Sequence, residues 1–407
     1  MPKPPKTKPL APLSIDLAAR VPPELHDYVI DFLHDHRPSM CSCSLVCKAW
    51  LSSSRYHLFR NSTLRVTRWN FEKFLHFSSA NGIHEHIGRL DLESHIIDEV
   101  FHHSEPTLQF NNDLKRFVNL PAVHYLRLHY HHDVFASTIG KAITENFGNI
   151  KELEFSSVHI DSFGTILEIC QTLPSLRRLA LCGLLLIGDE EDSREVLMAK
   201  VAAYPNLPNL TDFVFEAHRG NENVLRWLSA QRGLRLLAIS RLATRAERSV
   251  FAEIIKAVGP QLTHLFLGPT NAAVDLITAT NLQTLELRNI TIAAPGTESV
   301  VNYVFPTLSS LLGRRAPPAT LRTLVLNINV EFQTDIDTIQ WDEIAPLLAS
   351  ADSLRRVDVG VSRHKKSLQG VICDQKLPAP RPYSIRVSDS DPKRNRFSLV
   401  NCSSTSA

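Results

Sequence analysis

The chain has 407 residues, of which 43% are hydrophobic, 21% charged and 7% aromatic, a composition that excludes wholesale disorder and collagen-like structure. A chain of this length is predicted to contain about two to three domains and to bury a sizeable core. Its 44 Lys and Arg residues against 42 Asp and Glu give a net charge of +2, which argues against a dedicated nucleic-acid-binding or membrane-surface protein. With 15 glycines, the chain also has little material for Gly-rich phosphate-binding loops.

The first residues are rich in Pro and Lys and no apolar segment follows them, so they do not read as a secretory signal. The longest nearly continuous apolar run, from Leu179 to Ile187, is about half as long as a membrane span. Three of the seven cysteines lie within residues 41–47, and an odd number of cysteines suits free thiols in a reducing compartment. We therefore expect a cytoplasmic or nuclear protein that is not secreted and has no membrane partner.

Changes in composition divide the chain into four stretches. Residues 1–20 are predicted to form a disordered Pro/Lys-rich leader, and residues 21–60 are dense in helix signals. Residues 61–376 alternate short apolar segments with amphipathic ones. Pro, Ser and charged residues return in residues 377–407, which we expect to form a C-terminal cap and tail.

The segment 21–60 is predicted to fold into three short helices. Pro22 and Pro23 suit a helix start, where a missing N–H costs nothing. One apolar stripe follows at helical spacing: Leu25, Tyr28 or Val29, Phe32 and Leu33. A second stripe predicts a second helix through Cys43, Val46, Cys47 and Trp50. A third helix is expected over 53–59. So small a bundle cannot bury this many large apolar groups by itself, so it needs the rest of the chain or a partner.

Two motifs in this segment resemble the F-box family. They read Val21-Pro-Pro-Glu-Leu25 and Val46-Cys-Lys-Ala-Trp50, where the family has Leu-Pro-x-Glu-Leu and Val-Cys-Lys/Arg-x-Trp. The resemblance is confined to residues 21–60. Val21 departs from the leading Leu of the family, and residues 35–44 replace its usual short acidic linker, which affects the geometry between the first two helices.

The resemblance implies that residues 21–60 dock on a Skp-type adaptor, which links an F-box protein to a cullin and a RING protein in a ubiquitin ligase. An apolar helix face would be buried in a groove of the adaptor. Eight residues are expected to form the adaptor interface and the small core behind it: Pro22, Pro23, Leu25, Ile30, Leu33, Val46, Cys47 and Trp50.

Ten segments of the form apolar-x-x-apolar-x-apolar recur after the helical unit, and their starting points are 20 to 39 residues apart. A pattern this loose also arises by chance, so composition is the better evidence: the middle apolar position is Leu in eight of the ten. The segments start at Ile87, Val123, Ile150, Leu176, Leu210, Leu234, Leu262, Leu282, Leu321 and Leu354. Helices are predicted between them at 135–147, 162–172, 194–204, 224–230, 247–258 and 343–350.

A strand and a helix at this period resemble the leucine-rich repeat family, whose core reads Leu-x-x-Leu-x-Leu. The Asn/Cys position that follows in the family is often apolar or unrelated here, as at Leu184 and Ile290, so the repeats are irregular. The resemblance implies an α/β fold class, with a three-helix F-box followed by an irregular leucine-rich-repeat solenoid, a horseshoe with parallel strands on its concave face. An ordinary layered α/β domain with a parallel sheet is the alternative.

In such a horseshoe, the second and third apolar residues of each segment point into the core and their neighbours point outward on the concave face. That face has mixed charge and scattered aromatic residues, which suits a protein partner better than a polyanion. We expect it to hold an unidentified target protein through seven residues: Tyr125, Arg127, His129, Arg178, His264, Phe266 and Arg288.

Two clusters have the composition of metal sites. Cys41, Cys43 and Cys47 follow His34 and His36, but two of these cysteines lie on the predicted apolar stripe, where cysteine is a common core residue. Residues 124–133 hold four histidines and one Asp with no spacing that fixes a coordination geometry. We therefore predict no metal site. Residues 361–396, with nine Lys or Arg against three Asp, are interpreted as a solvated cap rather than a nucleic-acid contact.

A search for catalytic motifs finds no Walker-type loop, no G-x-S-x-G, no H-E-x-x-H and no G-x-G-x-x-G, so we predict neither an enzyme nor a cofactor. The leading hypothesis is a substrate-receptor subunit of a Skp–cullin–F-box ubiquitin ligase. The alternative is a non-catalytic repeat scaffold whose N-terminal helices cap the solenoid. A hydrolase or transferase with an unrecognised site would need a deep polar pocket.

Overall fold

The structure is a computed structural model of the chain. It describes residues 22–67, 69–80, 83–94, 116, 120–130, 134–135, 143–160, 163–186, 206–217, 221–242, 244–268, 273–291, 303–313, 320–329, 337, 339, 341–361, 369, 371–377 and 383–389. The leader expected at 1–20 and the last part of the expected tail, 390–407, lie outside the described residues.

Three helices precede the sheet: α1 (Pro23–Phe32), α2 (Arg37–Cys43) and α3 (Lys48–Arg60). The first begins at the proline pair as predicted. The prediction of one helix through Cys43 and Trp50 is wrong, because Cys47 precedes α3 in an extended conformation with φ −160° and ψ 170°. This extended residue ends the turn after α2, so the two halves of the predicted stripe belong to different helices.

Twelve of the fourteen strands in the described residues form one parallel sheet, whose order is β1-β2-β3-β5-β7-β8-β9-β10-β11-β12-β13-β14. The strands are β1 (Thr63–Thr67), β2 (Arg89–Ser94), β3 (Tyr125–Tyr130), β4 (Val134–Phe135), β5 (Glu152–Ser156), β6 (His159–Ile160), β7 (Arg178–Leu186), β8 (Asp212–Ala217), β9 (Leu236–Ile239), β10 (His264–Leu267), β11 (Thr284–Thr291), β12 (Thr323–Asn329), β13 (Arg356–Val361) and β14 (Ser384–Asp389). Each strand of this sheet lies beside the one that precedes it in the path, so the chain advances in one direction only.

The apolar positions of the ten segments fall in register along this sheet. Leu90 pairs with Leu126, which pairs with Leu153, and the row continues strand by strand to Val357. The middle apolar residue is completely buried in all ten segments. All ten predicted strands are thus confirmed, and the chain is an irregular leucine-rich-repeat-like α/β solenoid with N-terminal helices.

The sheet extends one strand beyond the ten segments at each end. Leu64 of β1 and Ile385 of β14 continue the row, partly buried against the same core. These strands escape the pattern because its first apolar position is occupied by Asn61 before β1 and by Pro382 before β14. The sheet therefore reaches into residues 377–407, which we had assigned to a cap and tail.

The helices between the strands pack on one face of the sheet, where they and the buried rows form one continuous core. They are α4 (Phe71–Ala80), α5 (Phe163–Gln171), α6 (Asn221–Ser229), α7 (Arg245–Val258), α8 (Val304–Leu312) and α9 (Trp341–Ala349). Helices predicted at 162–172, 224–230, 247–258 and 343–350 are confirmed to within a few residues. The helix predicted at 194–204 lies outside the described residues, and the start of the one predicted at 135–147 is wrong because Phe135 belongs to β4. No helix in the described ranges is long and apolar enough to cross a bilayer.

Strand β7 has a bulge beside two residues with left-handed backbone conformation. Gly183 has φ +65°, and Ser157, which follows β5, has φ 54°. The Ser157 N–H donates to the carbonyl of Cys182 at 2.7 Å. The register of β7 against β8 shifts after Cys182, and beyond the bulge the end of β7 pairs with β6, which pairs with β4.

The last turn of α3 is seated on the first repeat. Phe59 packs against the solenoid core, with its ring 5.8 Å from that of Phe77 in α4. The N–H of Gly88 donates to the carbonyl of Phe59 at 3.1 Å, and a Cβ at Gly88 would lie 2.4 Å from the carbonyl oxygen of Arg60. The helical unit is therefore attached to the start of the sheet by its C-terminal end.

Gly268 lies where the exits of β9 and β10 approach closely, since a Cβ there would lie 1.6 Å from the carbonyl oxygen of Ser240. We expect Gly268→Ala to lower the free energy of unfolding by about 1–3 kcal/mol, because the backbone has to move to admit the methyl group. Urea denaturation followed by circular dichroism measures this loss.

Gly148→Ala is the matched control, because its Cβ would lie 3.8 Å from the nearest atom, the carbonyl oxygen of Thr144. We expect this variant to be neutral or slightly stabilised, through the lower entropy of its unfolded chain. Equal stability of the two variants would contradict the close approach at Gly268.

Candidate functional site

The N-terminal helices expose a set of large apolar side chains. Of the nine large hydrophobic residues exposed in the described ranges, six lie within residues 22–50. Phe32 is 81% and Leu45 86% exposed. Large exposed apolar patches are typical of interaction surfaces. We call this set the helical face: Leu25, Tyr28, Val29, Phe32, Leu45 and Val46.

The structure divides the eight residues predicted to bind an adaptor into a core and a surface. Ile30 is fully buried, as are Met40 and Cys43, so it supports the helical unit from inside. Leu33 and Trp50 are half-buried. The exposed members are Pro22, Leu25, Val46 and Cys47, and Pro23 is the first residue of α1.

Two polar pairs hold α1 against α3. Asp27 accepts a hydrogen bond from the hydroxyl of Ser53, and Asp31 Oδ1 accepts one from His57 Nε2 at 2.6 Å. Within each helix the two residues are four apart, so they lie along one edge. These pairs link α1 to α3 and so orient the α1 members of the helical face.

The cysteines and histidines of the helical unit do not converge. Cys41 and Cys47 are exposed while Cys43 is buried, and His34 Nε2 lies 3.1 Å from Asp35 Oδ1. Among the residues that the structure describes, no three His, Cys, Asp or Glu side chains are arranged to hold a metal ion. Of the second histidine group, residues 131–133 lie outside the described residues.

The concave face, the side of the sheet opposite the helices, carries a network of polar contacts over its first strands. Arg127 lies between two carboxylates, with Nε 3.1 Å from Glu154 Oε1 and Nη1 3.7 Å from Asp91 Oδ2. The hydroxyl of Tyr125 donates to Glu154 Oε2 at 3.1 Å, and the guanidinium of Arg89 lies 4.0 Å from the centre of the Tyr125 ring. Buried charges are compensated in this way by residues on neighbouring strands.

The concave face becomes apolar over β7–β10. Its side chains there form a cluster that is separate from the main core. Tyr125 of the polar network belongs to this cluster as well. None of them is more than 8% exposed. We call this set the central strip: Ala180, Cys182, Val214, Leu236, Ala238 and Phe266.

Arginine–carboxylate pairs resume beyond the central strip. Arg288 Nε lies 2.5 Å from Glu286 Oε1, which also accepts a hydrogen bond from Asn327 Nδ2 at 2.7 Å. Arg356 Nη2 lies 2.6 Å from Asp358 Oδ2. The central strip is therefore flanked on both sides by side chains that are fixed by charge-assisted hydrogen bonds.

The expectation that the concave face is open to solvent is wrong for three of its seven assigned residues. Tyr125, Arg178 and Phe266 are only 1%, 6% and 8% exposed. Long side chains on adjacent strands cover one another: Arg89 covers Tyr125, and the guanidinium of Arg288 lies 5.4 Å from the centre of the Phe266 ring. The other four residues are half-buried: Arg127, His129, His264 and Arg288.

Burial shifts the titration of several groups on the concave face. Desolvation raises the pKa of the Asp91 carboxyl, and the nearby Arg127 opposes this rise. Desolvation also raises the pKa of Asp212, against the opposing effect of Arg178. It lowers the pKa of His264, which favours the neutral imidazole. Burial therefore favours the neutral form of each of these three groups on the concave face.

Sequence reasoning missed two features of these surfaces. Tyr28, Phe32 and Leu45 were not assigned to the adaptor interface, although the number of large apolar groups in so short a segment was the available signal. The pairing on the concave face was also missed. It is visible once the segments are aligned, since Arg127 then stands opposite Glu154 on the next strand.

Asp212→Asn removes a carboxylate whose charged form is disfavoured by burial. Because its pKa is raised, the folded chain holds this proton more tightly than the unfolded chain, so stability falls as pH rises from the unfolded value near 3.9 to the folded pKa. We expect the variant to be more stable than the wild type at pH 7. The advantage should disappear below about pH 3.5, where Asp212 is protonated in both the folded and the unfolded chain.

Thermal denaturation across this pH range measures the effect. Asp352→Asn, the same substitution at an exposed carboxyl, is the control. A wild type more stable than Asp212→Asn at pH 7 would mean that attraction to Arg178 outweighs the desolvation.

No protein-family model and no curated protein matches the chain. Among solved structures, the chain is similar to one in the crystal structure of a TLR13–ssRNA13 complex, with 14% sequence identity and a TM-score of 0.42. The similar region covers 83% of this chain and 48% of the other, so the chain spans about half the length of that protein. A likeness of this degree carries no inference about ligands.

Proposed function

We propose that the chain is a substrate-receptor subunit of a Skp–cullin–F-box ubiquitin ligase. The helical face is the observation that supports this proposal most directly. Residues 21–60 carry both motifs that resemble an F-box, and the same segment exposes six large apolar side chains that are not buried by the repeats. An isolated protein gains nothing from this exposure, whereas a partner groove would bury it.

The energetics of the helical face suit a stable complex. Burying a Leu, Val or Phe side chain stabilises a complex by roughly 1.5–3 kcal/mol when burial is complete. Phe32 and Leu45, which are more than four-fifths exposed, have most of this gain still available. Ile30, Met40 and Cys43 are buried, so the helical unit has an apolar interior behind its exposed side chains.

In this proposal the repeat domain holds the target protein and the adaptor brings the cullin. The chain performs no chemistry itself and takes no cofactor. It raises the effective concentration of a target lysine near the conjugating enzyme. We propose a cytoplasmic or nuclear location, with protein partners rather than nucleic acid or membrane.

A second candidate function is a repeat scaffold that binds a protein partner without recruiting a ligase. The contact between α3 and the first repeat favours this function. Phe59 and Gly88 join the helical unit to the start of the sheet, where a capping element of a repeat protein would lie. In that case the helical face would serve another partner, and the adaptor would not bind.

Co-expression with a Skp-type adaptor, followed by size-exclusion chromatography, separates the two functions. We expect the wild type to co-elute with the adaptor. Leu25→Arg should weaken the complex by tenfold or more, because it places a charge in the buried interface. Titration calorimetry on the purified proteins measures this change.

Ile277→Arg is the matched control. Ile277 is 56% exposed and Leu25 53%, so both substitutions change an equally exposed apolar side chain, but only one lies on the helical face. Ile277→Arg should bind the adaptor like the wild type. If a well-folded wild type elutes alone, the ligase proposal is lost and the scaffold function leads.

A further inference from the structure

Arg178 differs from the other buried or half-buried arginines of the concave face. Arg89, Arg127 and Arg288 each lie within 4 Å of a carboxylate, at 3.9, 3.1 and 2.5 Å. Arg178 is 6% exposed, yet its Nε and Nη2 atoms have no hydrogen-bond partner, and it forms no ion pair within the described residues. Arg178 interacts electrostatically with Asp212, but its Nε and Nη2 donors have no acceptor among the described residues, and buried donors without an acceptor are unfavourable.

The two unpartnered atoms form one recognition element. Nε–H and the neighbouring Nη2–H point in the same direction, and together they make the planar fork that binds both oxygens of a carboxylate or phosphate. Neither donor of this edge has an acceptor among the residues that the structure describes.

The neighbours of Arg178 favour a carboxylate over a phosphate. In register on the adjacent strands stand Glu152 on β5 and Asp212 on β8. These acidic groups would repel the double charge of a phosphate more than the single charge of a carboxylate. Asp212 is close enough for Arg178 to lower its pKa, but desolvation has the larger, opposite effect.

The central strip begins immediately beside this residue. Ala180 is two residues along the same strand, and Val214 and Leu236 follow on β8 and β9. A carboxylate on Arg178 would therefore have an apolar floor next to it. A polypeptide that carries a carboxylate beside an apolar side chain matches both the guanidinium of Arg178 and the apolar central strip.

We propose that Arg178 is the residue with which the concave face binds a carboxylate of its target polypeptide, with a neighbouring apolar target side chain against Val214 and Leu236. This inference rests on the proposed function, in which the repeat domain holds the target. The carboxylate comes from an acidic side chain or from a chain end. Because the fork is buried, the side chains that cover it have to part, and the bound carboxylate is dehydrated, which strengthens the pair.

An array of decapeptides in three matched forms, each of random sequence apart from one fixed position and otherwise free of Asp and Glu, tests the proposal. One form contains a Glu and ends in an amide, the second has Gln instead and a free terminal carboxylate, and the third has Gln and an amide. Binding of the labelled full-length protein is measured at physiological ionic strength. We expect at least one carboxylate form to bind tenfold or more tightly than the neutral form, and the favoured form identifies the source of the carboxylate.

Arg178→Gln should abolish this preference. Arg386→Gln removes an exposed positive charge from the same face at β14 and should leave the preference intact. The proposal is overturned if the wild type binds all three forms equally, or if Arg178→Gln keeps the wild-type preference.

Asp212→Asn keeps the test decisive if Arg178→Gln does not fold. Removal of this competing carboxylate should raise the preference for carboxylate peptides, and a fall would contradict the proposal. Adaptor co-elution of the same preparations tells the two proposals apart. Arg178 variants that lose peptide binding but retain the adaptor leave the ligase proposal standing, and the reverse result leaves the carboxylate site standing.

Discussion

The register between neighbouring parallel strands is the constraint on which the rest of the molecule depends. Leu90, Leu126 and Leu153 stand side by side in successive repeats, about 4.8 Å apart, and none of them is buried by its own repeat alone. A shift of one residue in any strand would turn its outward-facing charges into the core. The same register therefore sets both the core and the pattern of side chains on the concave face.

The concave face is already packed before any partner binds. Arg127, Glu154 and Tyr125 fix one another, and Arg288 with Glu286 does the same beyond the central strip. A partner that binds at Arg178 has to displace the side chains that cover it, whereas the paired side chains on either side are already oriented and lose little entropy. The helical face differs from the concave face, because its members are exposed apolar side chains. The oriented polar side chains of the concave face suit a specific contact, and the exposed apolar side chains of the helical face suit a strong one.

Periodicity predicted the strands, because a buried strand in a repeat imposes the same residue class at the same place ten times. It missed β1 and β14 because Asn61 and Pro382 stand where the pattern requires an apolar residue. It also predicted exposure poorly, since whether Tyr125 is covered depends on the length of Arg89 on another strand. That two donors of Arg178 lack an acceptor among the described residues could not be predicted, because this is a property of three-dimensional placement. In the helical unit, spacing alone could not show that Cys47 is extended.

The two ends of the solenoid differ. At the first strand, Phe59 and the last turn of α3 cover the core, whereas β14 pairs only with β13 among the described strands. In a chain of repeats, stability is shared between nearest neighbours, so a terminal repeat with one neighbour opens at the lowest free energy. The first repeat has α3 as its second neighbour, so the contact of Phe59 ties the stability of the helical unit to that of the repeat on which it lies.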